Sequence, residues 1–389
     1  MRVSQAVFGV FHHFELAREL DRRGHLDTVY STWPWARLKR EGLPHSKVQT
    51  FPWLHMPEMV LNRAGLLPRW LEDELGYRNA LSFDEWTFRR IRDCDALIAI
   101  SGAALKTGRL VQERGGVFVC DRGSTHQRYQ DEILAEEYRR WDVPYPAPAA
   151  HIVRREEAIY AIADAITVPS NVVRRSFLAQ GLAEEKIHVI PYGVRLDKFK
   201  PTGTPPTVSF EVLFAGQISL RKGIPYLLEA FARLRHPRKH LTLAGSMQDD
   251  VRHLLAKLPT EHVTFLGAIT QTELAERMSR SHVLALASVE EGLALVQGQA
   301  MACGCPIVAT NATGAEDLFS DGVEGFIVPD RNSTVFAERL QQLADDPALR
   351  QRMSDAGLKR VKTLGGWDQY GAQWDALLHL LTRCPNDPS

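Results

Sequence analysis

Short apolar runs alternate with amphipathic stretches along almost the whole chain. "RVSQAVFGV" predicts a first strand, "FELARELDRRG" a helix and "LDTVYST" the next strand. "DALIAISG", "GVFVCDRGS" and "DAITVPS" predict further strands, each ending in small or polar residues. Over 191–206 the proline-rich "PYGVRLDKFKPTGTPP" breaks the rhythm and predicts an interdomain linker. The alternation then restarts with "FEVLFAGQ", "HLTLAGS", "HVTFLGA", "HVLALAS", "PIVATN" and "GFIVPD". Helices such as "IPYLLEAFARLR" and "TVFAERLQQLADD" separate these strands. The expected fold class is α/β, with two successive Rossmann-like doubly wound domains and a ligand cleft between them at the strands' carboxyl ends.

The least regular stretch is 33–90, with tryptophans at 33, 35, 53, 70 and 86. These rings form either a recognition surface or the core of an ordinary insertion. A length of 389 residues agrees with two domains, and no short-period repeat is present. Lys+Arg and Asp+Glu balance at 47 each, so no global field draws nucleic acid, which is not an expected partner. The N-terminus lacks a basic segment followed by a long apolar core, and no run of 18 apolar residues occurs. The five cysteines are odd in number and scattered, which suits a reducing cytosol, and a cytoplasmic protein is expected.

Two stretches carry chemistry. In "LFAGQISLRKGIPYLLEAF", a strand ends at Gly216 and a loop brings Arg221 and Lys222 to the start of a helix. Cations there suit a diphosphate, because charge and helix-terminal amides act together; a solvated loop is the plain alternative. In "EEGLALVQGQAMACGCP", a turn and a helix follow a buried strand. Gly292 would let the backbone approach a ligand, and the amides of Gly292, Leu293 and Ala294 are expected to face the cleft that holds Lys222. Glu291 suits the hydroxyls of a sugar better than a phosphate. Gln299 lies about two helical turns further on, at another part of an extended ligand or simply on a helix face. "DCD" at 93–95 precedes its strand, the wrong end for a cleft, and "CGC" at 303–305 offers only two thiolates. No metal is expected.

"FAGQISLRKG", "VTFLGAI", "ASVEEGLALVQGQAMACGCPIVAT" and "TGAEDLFSDGVEGFIVP" together resemble the donor-binding half of the family-4 glycosyltransferases. The likeness continues through "ITVPSNVVRRSFLAQGLAEEKIHVIPYGVRLDKFKP" and "GWDQYGAQW", and is weak only in 33–95. It implies the GT-B fold, with an acceptor-binding domain over 1–198, a nucleotide-sugar domain over 199–367 and a C-terminal helix in 368–389 packing back on the first domain. It also implies a retaining, metal-independent transfer of a hexose from a UDP- or GDP-linked donor to a saccharide or lipid-linked saccharide. The leaving phosphate would help to deprotonate the acceptor, and no cofactor is needed.

Position by position, the resemblance gives Lys222 the donor diphosphate, Glu291 the donor sugar and Gln299 the ribose site, usually held by glutamate. Gln217 stands where many relatives carry a phosphate-binding arginine, and Arg221 would supply that charge. Phe265, Leu266 and Gly267 match the backbone that meets the nucleobase, and Gly9 a loop facing the diphosphate. His126, beside Arg122 in "CDRGSTHQRY", matches a histidine that contacts the transferred sugar; a structural histidine is the plain alternative. Glu316 reads as a carboxylate capping a helix start, or as a second contact to the donor. An epimerase on the same fold and a non-catalytic nucleotide-sugar binder are the alternative functions. The aromatic and basic residues of 33–90 allow peripheral contact with a membrane that carries the acceptor.

Overall fold

A computed structural model describes residues 1–63 and 69–382, with side chains outside 62–70; Trp70 and Cys384 lie outside the described side chains. The first sheet contains β1 (Val3–Val7), β2 (Leu26–Ser31), β3 (Val48–Thr50), β4 (Ala96–Ile100), β5 (Val117–Asp121), β6 (Ala165–Val168) and β7 (Ile187–Val189). All are parallel, in the order β3-β2-β1-β4-β5-β6-β7. The second sheet contains β8 (Phe210–Ala215), β9 (Lys239–Ala244), β10 (Val263–Gly267), β11 (Val283–Leu286), β12 (Ile307–Thr310) and β13 (Gly325–Val328). It too is parallel, in the order β10-β9-β8-β11-β12-β13. Helices cover both faces of each sheet, so central strands such as β4 and β11 are apolar runs rather than alternating ones. Strand order reverses between β1 and β4 and between β8 and β11, and the carboxyl ends beside those reversals are where ligands of such sheets bind.

The strands read from the sequence are present; β3 and β7, three residues each, were not foreseen. The first helix, Phe11–Arg22, starts earlier than "FELAREL" predicts and has no side-chain cap at Val10. It buries Phe14, Leu16, Ala17 and Leu20. On its outer side lies the helix Trp367–Thr382, whose Tyr370, Trp374 and Leu378 are buried there, and Arg23 donates to the Asp368 carbonyl at 2.9 Å. The chain thus returns from the second domain to the first. In 33–90 the tryptophans divide: Trp86 packs with Phe51, Phe83 and Tyr30, whereas Trp53 is 73% exposed. Among the described residues no helix is long and apolar enough to cross a membrane.

Candidate active site

The loop after β11 and the loop after β8 meet at the second sheet's order reversal. Backbone holds them together: the Val289 amide donates to the Arg221 carbonyl at 2.9 Å. Gly223 caps the helix Ile224–Arg233 at φ 63°, and a Cβ added there would lie 1.8 Å from the Ala287 carbonyl oxygen. Glycine is required at this crossing on both counts.

Two consecutive glutamates then take two consecutive cations. Lys222 Nζ contacts the Glu291 carboxylate, and both side chains are 15% exposed. Burial and the neighbouring Arg221 push the Lys222 ammonium down to about 7, with Glu290 pulling upward. The touching Glu291 carboxylate favours the charged form further. Arg221 Nε donates to Glu290 Oε2 at 2.6 Å. Glu290 also accepts from Thr125, through its amide at 3.2 Å and its hydroxyl at 2.7 Å, and from Gln130 Nε2 at 2.8 Å. Burial would raise this carboxyl, but Arg221 and the bonds from Thr125 and Gln130 hold it down at about 2.

Glu290 therefore ties these two loops of the second sheet to the first domain. Ser170 Oγ adds a bond to the Gly292 carbonyl at 2.6 Å, Tyr138 Oη one to Asp250 at 2.7 Å, and Arg331 Nε one to Glu137 at 2.6 Å. A Cβ added at Gly292 would lie 1.8 Å from the Gly123 carbonyl oxygen. In this arrangement the glycine serves the approach of two domains rather than of a ligand. The Ala294 amide is likewise taken, donating to the Thr313 carbonyl at 3.1 Å. Leu293 and Ala294 are buried. Arg221 is committed to Glu290 and reaches Ser124, which changes the expectation of a free phosphate ligand.

Glu291 and Gln299 face different cavities. Glu291 lines one of about 370 Å³ with Thr125, Tyr129, Asn311 and Arg331. Gln299 lines one of about 680 Å³ with His12, Gln271, Leu295 and Trp367. Its Oε1 is buried without a partner. Gly9 lies in the turn after β1, Gly216 and the exposed Gln217 follow β8, and Phe265, Leu266 and Gly267 close β10; none lines either cavity. A larger cavity of about 950 Å³ sits beside Glu211, Thr242 and Arg277, away from the strands' carboxyl ends.

His126 caps the helix Gln127–Arg140, its Nδ1 accepting from the Arg128 amide at 3.2 Å. Its ring packs against Tyr160 and Phe177, and burial pushes the imidazole down to about 4. It is 2% exposed, the setting of a core histidine. Glu316 does not cap: Gly314 holds that position without a side-chain bond, and Glu316 pairs across the cleft with Arg175 at 2.6 Å.

The sequence reading missed Glu290, Thr125, Gln130 and the buried group His12, His13 and Asp121. The adjacent histidines just after the glycine-containing turn were the available signal. Among the described residues His12, His13 and Asp121 bring three donor atoms close enough for a cation, as do His25, Asp375 and His379. In the first group both Nδ1 atoms are buried without an acceptor, whereas a ligating imidazole usually passes its other N–H to one. The donor set fits a metal poorly.

Residues 197–360 match the family model for glycosyl transferases group 1. The D-inositol 3-phosphate glycosyltransferase of Streptomyces bingchenggensis is 28% identical over 289 residues, covering 68% of this chain and 62% of that protein. The chain spans about 60% of the length of the first curated relatives it matches. Among solved structures, sucrose-phosphate synthase from Thermosynechococcus elongatus superposes with a TM-score of 0.74 at 21% identity, covering 98% of this chain and 99% of that one. Anabaena HepE in complex with UDP-glucose gives 0.68 at 18% identity, covering 98% and 100%. These likenesses show the shared two-domain fold.

Proposed function

Because residues 197–360 match the group 1 glycosyl transferases and the chain has the GT-B fold, we propose that it moves a hexose from a nucleotide-diphosphate sugar to a hydroxyl of a saccharide or glycolipid. The reading includes retention at the anomeric carbon and no metal. The observation that carries it is the Lys222–Glu291 pair at the order reversal of the second sheet, inside the matched segment. A diphosphate leaving group gathers negative charge as the glycosidic bond breaks. Lys222 stabilises that charge, and Glu291 accepts from the sugar's hydroxyls. Before donor arrives each neutralises the other; donor binding exchanges the pair for phosphate on one side and hydroxyls on the other. The relatives, which include a D-inositol 3-phosphate glycosyltransferase and a protein solved in complex with UDP-glucose, support this class of donor. Exposed Trp53, Leu54, Val60 and Leu61, on and before the helix His55–Arg63, support a lipid-linked acceptor.

The test is a thermal-shift panel of UDP, GDP, ADP and their sugars, followed by transfer assays with the stabilising donor. Ligands that bind the folded state alone raise the midpoint by an amount that grows with the logarithm of their concentration over Kd. Lys222→Ala should lower transfer by roughly 100- to 1,000-fold, the usual effect of losing one oxyanion donor. Glu291→Ala should lose transfer while keeping most nucleotide affinity. Nucleotide binding with no turnover on any acceptor, or a folded Lys222→Ala enzyme of normal turnover, would remove the reading.

A further inference from the structure

Where the helix Trp367–Thr382 returns to the first domain, three side chains with metal-binding chemistry converge. His25 immediately precedes β2, so it sits at a strand's amino end, whereas the cleft is formed by carboxyl ends. Asp375 and His379 lie four positions apart on the returning helix and share one face of it. His25 Nε2 lies 3.0 Å from Asp375 Oδ1, and His379 Nδ1 lies 3.5 Å from the same oxygen. The two imidazoles meet edge to face with centroids 5.5 Å apart. One donor atom from each residue lies within 4.8 Å of those of the other two.

An ordinary ion pair would leave Asp375 Oδ1 hydrogen-bonded. Instead this oxygen is buried and has no hydrogen-bond partner, although imidazole nitrogens flank it. A buried carboxylate oxygen without a donor is costly, and a cation between it and the two rings would remove that cost.

The spacing is that of a transition metal's ligands. Zinc bonds of about 2.0–2.1 Å arranged as a tetrahedron put neighbouring ligand atoms about 3.3 Å apart. The two separations from Oδ1, 3.0 and 3.5 Å, bracket that value. His379 Nδ1 also donates to the Asp375 carbonyl at 2.8 Å. Coordination there exchanges this contact for the metal and places the ring's proton on Nε2. Two imidazole nitrogens and one carboxylate oxygen, with a fourth position for water, suit zinc. Magnesium and calcium prefer oxygen ligands throughout. The side chains of His25, Asp375 and His379 are 19%, 29% and 48% exposed, so an ion reaches them without unfolding.

We propose that His25, Asp375 and His379 form a zinc site that clamps the returning helix to the first domain. The ligands come together only when that helix is docked, so the energy of binding the ion is energy of docking. The site joins the bond from Arg23 to the Asp368 carbonyl, a tie between residues 345 positions apart. It takes no part in the transfer, and the inference stands independently of that reading.

The experiment uses the full chain without a polyhistidine tag, stripped with EDTA and titrated with Zn2+ alone. One ion per chain should bind. At roughly a hundredfold excess over its Kd the melting midpoint should rise by about 3 °C. Co2+ in its place should give the intense visible absorption of a tetrahedral site, whereas Mg2+ and Ca2+ should shift nothing. His25→Ala and His379→Ala should each weaken Zn2+ by roughly tenfold or more, since even the outer-shell partners of a metal are worth about 10- to 100-fold. The His25 variant is decisive, because a local site on the helix surface would ignore it. No zinc in the wild type overturns the proposal, as does a weak, octahedral cobalt spectrum, a measurement that needs no variant. Equal binding by the wild type and both histidine variants would mean an adventitious ion only and would also overturn it. Zinc lost in His13→Ala but kept in His379→Ala would overturn it in favour of the cluster at His12, His13 and Asp121.

Discussion

Glu290 stands one position before the carboxylate that the sequence motif singles out, yet it is the more deeply engaged of the two. It is 2% exposed and takes bonds from Arg221, Thr125 and Gln130. Substituting glutamine keeps the shape but removes the charge that Arg221 answers. Glu290→Gln should therefore cost roughly 1.5–3 kcal/mol at pH 7, the worth of hydrogen bonds to a charged group, measured by urea unfolding. The sign with pH follows from a carboxyl held at about 2 in the fold against 4.5 ordinarily. Its contribution is fully present above about pH 4.5 and fades as pH falls through 2, so the gap between wild type and Glu290→Gln should close across that window. A gap that widens on acidification would contradict the assignment. Gln299 poses the opposite case, a neutral amide with an unpartnered oxygen facing a cavity that Glu291 does not share. Gln299→Glu should change donor KM more than kcat; a large change in turnover at saturating donor would place Gln299 at the bond being broken.

The loop between β11 and the helix Leu295–Ala302 shows how much an element can be read and misread. Its strand, turn and helix follow from an apolar run, small residues and a helical pattern. Its orientation does not, because Gly292 is pressed against Gly123 of the other domain. Gly292→Ala should force the domains apart at that point. Small-angle scattering should report a larger radius of gyration and transfer should fall at least tenfold, while nucleotide-induced stabilisation persists, since Lys222 and its loop belong to the second domain. An unchanged radius with normal turnover would show that the contact is not maintained in solution. The three-residue strands β3 and β7 escaped the reading because so short a run has no period to detect. The early start of the first helix escaped it because "VFHH" carries no capping residue.

At the scale of the whole molecule, the chain crosses between domains twice, through the linker and again before the helix Trp367–Thr382. That second crossing packs the helix Trp367–Thr382, with Trp374 fully buried, against the first helix. Trp374→Ala should cost about 3–5 kcal/mol, as large-to-small core changes do. Chemical denaturation should show this loss, and a variant of unchanged stability would mean that the helix does not dock.

The local pattern by itself determined the two runs of strands, the linker, the loop carrying Lys222 and the turn carrying Glu291. Each is a short-range property, because strand burial and helix periodicity repeat within a few residues. Only the tertiary structure decided that Glu290 joins the domains, that His126 is enclosed while His12 reaches the cleft, and that Glu291 and Gln299 face separate spaces. Those outcomes depend on how two parallel sheets present their carboxyl ends to one another. They pair side chains as far apart as Thr125 and Glu290, 165 positions distant, and no period within the sequence encodes such a pairing.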